Sequence, residues 1–222
     1  MNTDANRISV VLVDDHAVVR EGYQRLLERA EGIVVVGEAA SAAEAYQIVS
    51  GALPSVVVMD ISLPDVSGIE AMRRMMLREP KTKVLIFSIH DDAVFPDRAF
   101  RAGARGYVTK ASAPDVLVDA VRAVANGEFF LSPDIAQTLA LRSVAGDQDV
   151  MHTLSDREFE IVRLLAQGHS VRRISEMLCL NYKTVANYQS AIRQKLQVES
   201  AVDLIRVATR SGMITGANEG SE

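Results

Sequence analysis

One apolar run that ends on an acidic residue limits what the first half of the chain can fold into. Residues Val56-Val57-Val58-Met59 follow Pro54 and lead directly into Asp60. Four consecutive apolar residues indicate a strand that is buried on both faces, as in parallel sheets. Asp60 is then predicted at the carboxyl end of this strand, which is the edge of an open α/β sheet where ligands bind.

Strand and helix patterns alternate on both sides of this run. Strands are predicted at residues 8–13, 33–36, 56–59, 84–87 and 107–109. A helical pattern follows each strand, and the last one covers residues 116–125. Five strands that alternate with five helices on short connections predict a doubly wound parallel sheet, an α/β fold of the flavodoxin-like (βα)5 type.

One proline falls inside a predicted helix. The fourth helical pattern covers residues 93–102 and contains Pro96. Proline is tolerated only in the first turn of a helix, because it lacks the amide hydrogen that later turns need. The sequence therefore predicts that this helix begins late, near Val94 or Phe95.

The second half of the chain contains four short helical patterns. Ser155 and Glu158 form a predicted capping box, Ser170 and Asn181 are predicted N-caps, and Ser200 precedes a fourth pattern at residues 201–210. The tight turn between the second and third patterns is typical of a helix-turn-helix. We therefore expect an all-α, four-helix domain after the α/β domain.

Composition sets the domain boundaries and excludes some classes of protein. We expect the first domain at residues 1–130, a linker with a short helix at 131–152, the helical domain at 153–216 and a disordered tail at 217–222.

No apolar run approaches the ~18 residues that cross a membrane, and the polar start shows no signal peptide, so a cytoplasmic protein without membrane contact is expected. The single cysteine, Cys179, excludes an internal disulfide and is predicted to be a buried thiol. The net charge of -5 is unevenly spread, with 9 basic against 8 acidic residues in 153–222.

Acidic, hydroxyl and basic side chains follow the predicted strands. Asp14 and Asp15 end the first strand, Asp60 ends the third, Ser88 the fourth, and Lys110 follows the fifth. Taken singly, each could be a helix cap or a solvated surface residue. Three carboxylates at one edge repel each other unless a hard cation lies between them, and few side-chain ligands suit Mg²⁺. Together with a hydroxyl and an ammonium, these groups can hold a phosphoryl group.

Several motifs resemble the receiver domain of two-component response regulators. They are Val13-Asp14-Asp15-His16, residues 59–64 with Gly68, Phe87-Ser88, residues 102–107 and Thr109-Lys110. Residues 154–158, Thr184-Val185 and Lys195-Leu196 resemble the LuxR-type helix-turn-helix. Over about 205 of the 222 residues, the chain resembles the NarL/FixJ family.

The resemblance implies a set of roles in the first domain. Asp60 is the expected phosphoacceptor for a histidine kinase, Ser88 and Lys110 are expected to contact the phosphoryl oxygens, and Tyr107 is the expected switch aromatic. His16 is assigned no chemistry. The expected Mg²⁺ ligands are Asp14, Asp15, Asp60 and the backbone carbonyl of Ser62.

The second domain is expected to bind double-stranded DNA. Ala186 stands where relatives commonly have a basic residue; Asn187 can pair with adenine and Ala186 can contact a thymine methyl. Because this domain has fewer basic residues than lysine-rich relatives, its DNA binding is expected to depend less steeply on salt concentration. The predicted DNA contacts are Arg172, Arg173, Lys183, Thr184, Ala186, Asn187, Ser190 and Arg193.

The fourth helical pattern of the second domain has two expected roles. It is expected to join a homodimer of the phosphorylated protein through Val202, Ile205 and Ala208. Its simpler role is to close the core of the domain, and the two roles are compatible.

Three functions follow from these patterns. The first is a phosphorylation-activated transcription factor, in which phosphorylation releases the recognition helix and permits dimerisation on DNA. The second is a phospho-dependent protein-interaction regulator with weak DNA binding. The lack of a basic side chain at Ala186 favours this function. The third, a carboxylate-nucleophile phosphatase, is disfavoured because Ser62 stands where such enzymes place a general acid. We therefore expect no enzyme activity beyond help with the protein's own phosphorylation and dephosphorylation.

Overall fold

A computed structural model describes residues 7–64, 66–145, 150–178 and 180–210 of the chain. The chain divides into two compact units, and most residues up to 140 belong to the first and most later residues to the second. No helix in the described ranges is long and apolar enough to cross a membrane. The expectations for Cys179 and for the tail at 217–222 lie outside the described residues.

Six parallel strands form the sheet of the first unit, in the order β2-β1-β3-β4-β5-β6. They are β1 Ile8–Val13, β2 Ile33–Ala39, β3 Val56–Met59, β4 Val84–Ser88, β5 Gly106–Thr109 and β6 Phe130–Leu131. The five predicted strands are confirmed, and β2 is three residues longer than its apolar run. The structure adds a sixth strand, β6, which the sequence did not predict because two residues cannot show a period.

The helices of the first unit follow the strands as predicted. They are α1 Ala17–Arg29, α2 Ala42–Ala52, α3 Gly68–Arg78, α4 Val94–Arg101 and α5 Pro114–Ala125; a further helix, α6 Pro133–Ala145, extends past residue 140 into the second unit. Pro96 is the third residue of α4, so the prediction of a late start is confirmed. Helix α6 lies within the linker predicted at residues 131–152.

The core of the first unit explains why the strands are so apolar. Alternate strand residues, such as Val56 and Val58 of β3, belong to a buried cluster with Leu27 of α1 and Leu117 of α5. The intervening strand residues are buried as well, and Met59 has no exposed surface. The sheet is therefore covered on both faces, and polar groups collect at its edges.

Gly68 fixes the loop that follows Asp60. Its amide donates a hydrogen bond of 2.8 Å to the carbonyl of Ile61. A Cβ atom at this position would lie 1.9 Å from the carbonyl oxygen of Asp60, so only glycine fits. Gly68, the first residue of α3, is thus held against the backbone of Asp60.

The second unit consists of four helices after a short 3-10 helix at Val150–Thr153. They are α7 Asp156–Ala166, α8 Val171–Met177, α9 Tyr182–Leu196 and α10 Ala201–Arg210. The predicted capping box of α7 is confirmed, since Ser155 and Glu158 each accept a hydrogen bond from the other's amide. Ser170 and Asn181 cap α8 and α9 with their side chains, as predicted.

Gly68→Ala is expected to lower the free energy of unfolding of the first unit by about 2 kcal/mol, because the new methyl group overlaps the Asp60 carbonyl. Gly22→Ala is the control. Gly22 lies in α1 with open space around its Cβ position, so this change should stabilise by about 0.5 kcal/mol. Urea unfolding followed by circular dichroism measures both. Equal stability of Gly68→Ala and the wild type would contradict the close contact.

Candidate functional site

Acidic side chains meet at the carboxyl ends of β1 and β3. The two strands pair with Val13 beside Met59, which places Asp14 next to Asp60. Asp60 is 3% exposed and Asp14 is 6% exposed. Ligand atoms of Asp14, Asp15, His16 and Asp60 all lie within 4.8 Å of one another. Such closely spaced carboxylates require a compensating positive charge.

Lys110 provides that charge from the end of β5. Its Nζ atom lies 2.6 Å from Oδ2 of Asp14 and 2.8 Å from Oδ2 of Asp60. Its backbone amide donates a 2.7 Å hydrogen bond to the carbonyl of Ser88, which fixes the base of the side chain. The sequence-based grouping of these three side chains at one edge agrees with the structure.

Burial and charge act in opposite directions on this cluster. Burial raises the pKa of Asp60 above its ordinary value, although the ammonium of Lys110 opposes this. Burial lowers the pKa of Lys110, but the carboxylates of Asp60 and Asp14 outweigh burial and raise it. Lys110 therefore remains a cation at neutral pH, and a second positive charge would favour the ionised form of Asp60.

One oxygen of Asp60 is left open. Oδ2 accepts the hydrogen bond from Lys110, whereas Oδ1 is buried without a hydrogen-bond partner among the described residues. A buried carboxylate oxygen without a partner is unfavourable, so it points to a ligand at this position. Together with the carboxylates of Asp14 and Asp15, Asp60 forms a donor set that fits a hard divalent cation.

His16 belongs to the cluster, although its sequence position suggested no role. Its Nδ1 atom lies 2.7 Å from Oδ1 of Asp15 and 3.2 Å from Oδ1 of Asp14. The only signal in the sequence was that it follows the acidic pair directly. The backbone carbonyl of Ser62 as a metal ligand stays a prediction.

Ser88 and Tyr107 are both bound to His90, which the sequence reasoning missed. Ser88 is fully buried, and its Oγ atom accepts a hydrogen bond of 3.3 Å from the amide of His90. The hydroxyl of Tyr107 donates a 2.8 Å hydrogen bond to the carbonyl of His90. Nε2 of His90 lies 3.3 Å from the hydroxyl of Ser62. One loop residue thus connects the ends of β3, β4 and β5.

An apolar groove lies beside this edge of the sheet. It has a volume of about 670 Å³ and is lined mainly by α1, with Ile89, Lys110 and Pro114 completing it. Val18 is 83% exposed and Ile89 is 67% exposed. These exposed apolar side chains lie beside the acidic cluster and are candidates for contact with a protein partner.

Comparisons with known proteins agree with both halves of this description. The family model of the response regulator receiver domain matches residues 10–122, and the model of the luxR family of bacterial regulatory proteins matches residues 152–208. Response regulator GacA of Pseudomonas aeruginosa is 39% identical over 95% of this chain and 100% of its own length. The chain belongs to the NarL/FixJ family of response regulators. It is a two-component response regulator with a LuxR-type DNA-binding domain.

Two solved structures are similar to this chain. A LuxR-family response regulator from Aurantimonas sp. SI85-9A1 is 48% identical, covers 62% of this chain and 99% of its own, and has a TM-score of 0.61. RcsB from Salmonella enterica serovar Typhimurium is 25% identical, covers 92% of this chain and 99% of its own, and has a TM-score of 0.65. That RcsB structure contains a promoter and the phosphomimetic BeF3-.

Helix α9 is the second helix of the helix-turn-helix, the position that a recognition helix occupies in such domains. Val185 and Ile192 are its buried residues, so the opposite face is free for a ligand. The exposed side chains at helical spacing on that face are Lys183, Asn187, Ser190 and Gln194. Gln194 was not among the predicted contacts, but it continues the same row.

Several predicted DNA contacts also have partners within the protein. Thr184 donates hydrogen bonds from its amide and hydroxyl to Oδ1 of Asn181, so it stabilises the helix start. Arg172 and Arg173 are exposed, and each forms an ion pair with Glu176. Arg193 is half-buried, and its Nε atom has no hydrogen-bond partner among the described residues. Contact of these residues with DNA stays a prediction.

Helix α10 both closes the core of the second unit and presents an apolar face. It packs on α7, and Leu204, Val207 and Ala208 are buried. Val202 is 63% exposed and Ile205 is 41% exposed. Ala208 was expected on the dimer surface and lies instead in the interior, because it follows Leu204 by four residues on the inward face.

Lys183→Ala is expected to weaken binding to all DNA sequences and to reduce the slope of log K against log salt by about 1, since one phosphate contact is lost. Asn187→Ala should weaken only a selected site, by about 1–3 kcal/mol, with the slope unchanged. Lys195→Ala is the control, because the Lys195 ammonium is already paired with Glu158 at 2.7 Å. Fluorescence anisotropy at several salt concentrations measures all three variants. A steep slope for the wild type would contradict the expected low number of phosphate contacts.

Proposed function

We propose that Asp60 accepts a phosphoryl group from a histidine kinase and that this event controls DNA binding through α9. The observation that carries the proposal is the open Oδ1 atom of Asp60, buried among acidic side chains and beside Lys110. A carboxylate that is held in this way is a suitable nucleophile, and its neighbours can neutralise the charge that arrives.

The transfer exchanges one bond for another. The Asp60 carboxylate attacks phosphorus and forms an O–P bond, while the N–P bond of the kinase's phosphohistidine breaks. The imidazole of the kinase keeps the bonding electron pair and can then take up a proton. Mg²⁺, when bound by Asp14, Asp15, Asp60 and the Ser62 carbonyl, supplies positive charge for the phosphoryl oxygens.

Lys110 and Ser88 respond to the new charge. A phosphoryl group adds about -1.5 to -2 charge, which competes with Asp14 for the ammonium of Lys110. The hydroxyl of Ser88 can donate to a phosphoryl oxygen. To do so, it moves relative to the His90 amide, from which it accepts a hydrogen bond in this structure. Because the Tyr107 hydroxyl is bound to His90 as well, a shift of this loop breaks that hydrogen bond and frees Tyr107 to change rotamer.

The second unit carries the output. We assign residues 1–130 to the receiver, 131–152 to the linker and 153–216 to the DNA-binding domain. The exposed row on α9, with Lys183 and Asn187, supports insertion of this helix into the major groove of double-stranded DNA. The apolar face of α10, with Val202 and Ile205, supports pairing of two phosphorylated copies on DNA.

Kinase access is best from the apolar groove along α1. The phosphohistidine must reach Asp60, and Lys110 both lines the groove and contacts Asp60. The exposed Val18 and Ile89 therefore lie where the helices of a kinase would pack.

Asp60→Asn is expected to abolish phosphorylation. The full chain is treated with acetyl phosphate and Mg²⁺, and its intact mass and its affinity for selected DNA are measured. The wild type should gain one phosphoryl group and bind DNA more tightly, and removal of Mg²⁺ should prevent both changes. An unmodified wild type, or equal modification of Asp60→Asn, would contradict the proposal.

Val18→Glu is expected to slow transfer from a phosphorylated histidine kinase about tenfold, because a charge enters the apolar groove. Phosphorylation by acetyl phosphate should not change, since a small donor does not use the groove. Leu77→Glu is the matched control, because Leu77 is 80% exposed on α3, away from the groove. An equal loss with both donors would show that Val18 acts on the site itself and not on docking.

A further inference from the structure

The chain that leaves α5 runs along β5 and bonds to Arg105 just before that strand, and to Tyr107 and Thr109 within it. The amides of Phe130 and Ser132 donate hydrogen bonds of 3.0 Å to the carbonyls of Arg105 and Tyr107. The hydroxyl of Thr109 continues the series with a 2.7 Å hydrogen bond to Oδ2 of Asp134. The first part of the linker is therefore fastened to the strand that carries Tyr107 and leads into Lys110.

Asp134 contacts hydroxyl groups on both sides of Lys110. Its Oδ2 accepts from Thr109, and its Oδ1 accepts a longer, 3.4 Å hydrogen bond from the hydroxyl of Ser112. The two hydroxyls lie 2.9 Å from each other. These three side chains hold together the turn from residue 109 to residue 112, whose second residue is Lys110.

The charge of Asp134 suits this contact. Burial alone raises the pKa of a carboxyl group, but the hydrogen bonds that Asp134 accepts outweigh burial and hold its pKa below the ordinary value. Asp134 is therefore ionised at neutral pH. An ionised carboxylate accepts only, so the hydroxyl of Thr109 donates to it at 2.7 Å, and the hydroxyl of Ser112 can donate to Asp134 or to Thr109.

We propose that Asp134 is a positioning residue for phosphoryl transfer, because it holds the turn of Lys110 in the form that lets the ammonium reach Asp60. This inference rests on the proposed role of Asp60 as phosphoacceptor. The ammonium must stay within hydrogen-bond distance of the reacting carboxylate, and a small displacement of a charged group in a partly buried site changes rates strongly.

The same contact couples the phosphoryl site to the linker. Asp134 is the second residue of α6, which leads towards the DNA-binding domain. A free-energy coupling between two sites acts in both directions. If Asp134 holds the Lys110 turn, then movement of Lys110 towards a phosphoryl group changes how firmly the start of α6 is bound to β5.

A purely local role for Asp134 makes a different prediction. An acidic residue in the first turn of a helix interacts favourably with the helix dipole. Asp115 has the same position in α5, directly after Pro114, and is exposed. Asp115→Ala is therefore a matched control that removes a first-turn acid without touching the Lys110 turn.

The test compares rate constants for phosphorylation of the full chain by acetyl phosphate with Mg²⁺. Asp134→Ala should lower the rate constant about fivefold or more, whereas Asp115→Ala should leave it nearly unchanged. Thr109→Val should act like Asp134→Ala, and Thr109→Ser should restore most of the rate because it keeps the hydroxyl. Equal rates for Asp134→Ala and Asp115→Ala, or equal rates for the two Thr109 variants, would overturn the inference.

A second measurement tests the coupling in the other direction. Beryllofluoride with Mg²⁺ should speed hydrogen exchange at the amides of residues 130–136 in the wild type, and Asp60→Asn should show no response. Unchanged exchange in a wild type that binds beryllofluoride would overturn the inference. If the wild type takes up neither phosphoryl group nor beryllofluoride, the proposed function itself fails, so the two failures are distinguishable.

Discussion

Two ion pairs made by one side chain hold the proposed phosphoryl site together. The ammonium of Lys110 lies 2.6 Å from Asp14 and 2.8 Å from Asp60, so it joins the ends of β1, β3 and β5. Without this ammonium, two nearly buried carboxylates would face each other without a counter-charge, which is strongly unfavourable. The parallel sheet makes the contact possible because it brings the carboxyl ends of these strands to one edge.

This arrangement satisfies Lys110 better than it satisfies Asp60. The lysine has two acceptors, whereas one oxygen of Asp60 has no hydrogen-bond partner within the described ranges. The ion pairs therefore stabilise the site, and Oδ1 of Asp60 can still bind a cation or a phosphoryl group. His90 and Asp134 connect it to the rest of the protein, one through Tyr107 and the other through Thr109.

Sequence patterns predicted the elements of this protein that have a regular period or a strong local signal. The apolar run before Asp60, the capping box at Ser155 and the late start of α4 at Val94 could all be predicted, because each depends on neighbouring residues. β6 could not, since two residues show no period, and the contact between Thr109 and Asp134 spans 25 residues. The burial of Ala208 depends on which face of α10 packs against α7, and the sequence of α10 alone does not determine that face.

A crystal structure of the full chain with Mg²⁺ and beryllofluoride tests the role of Lys110 most directly. We expect the beryllofluoride on Asp60, the cation among Asp14, Asp15 and Asp60, and the Lys110 ammonium moved from Asp14 to a fluorine atom. Beryllofluoride bound elsewhere, or bound to Asp60 while Lys110 keeps its contact with Asp14, would contradict the account.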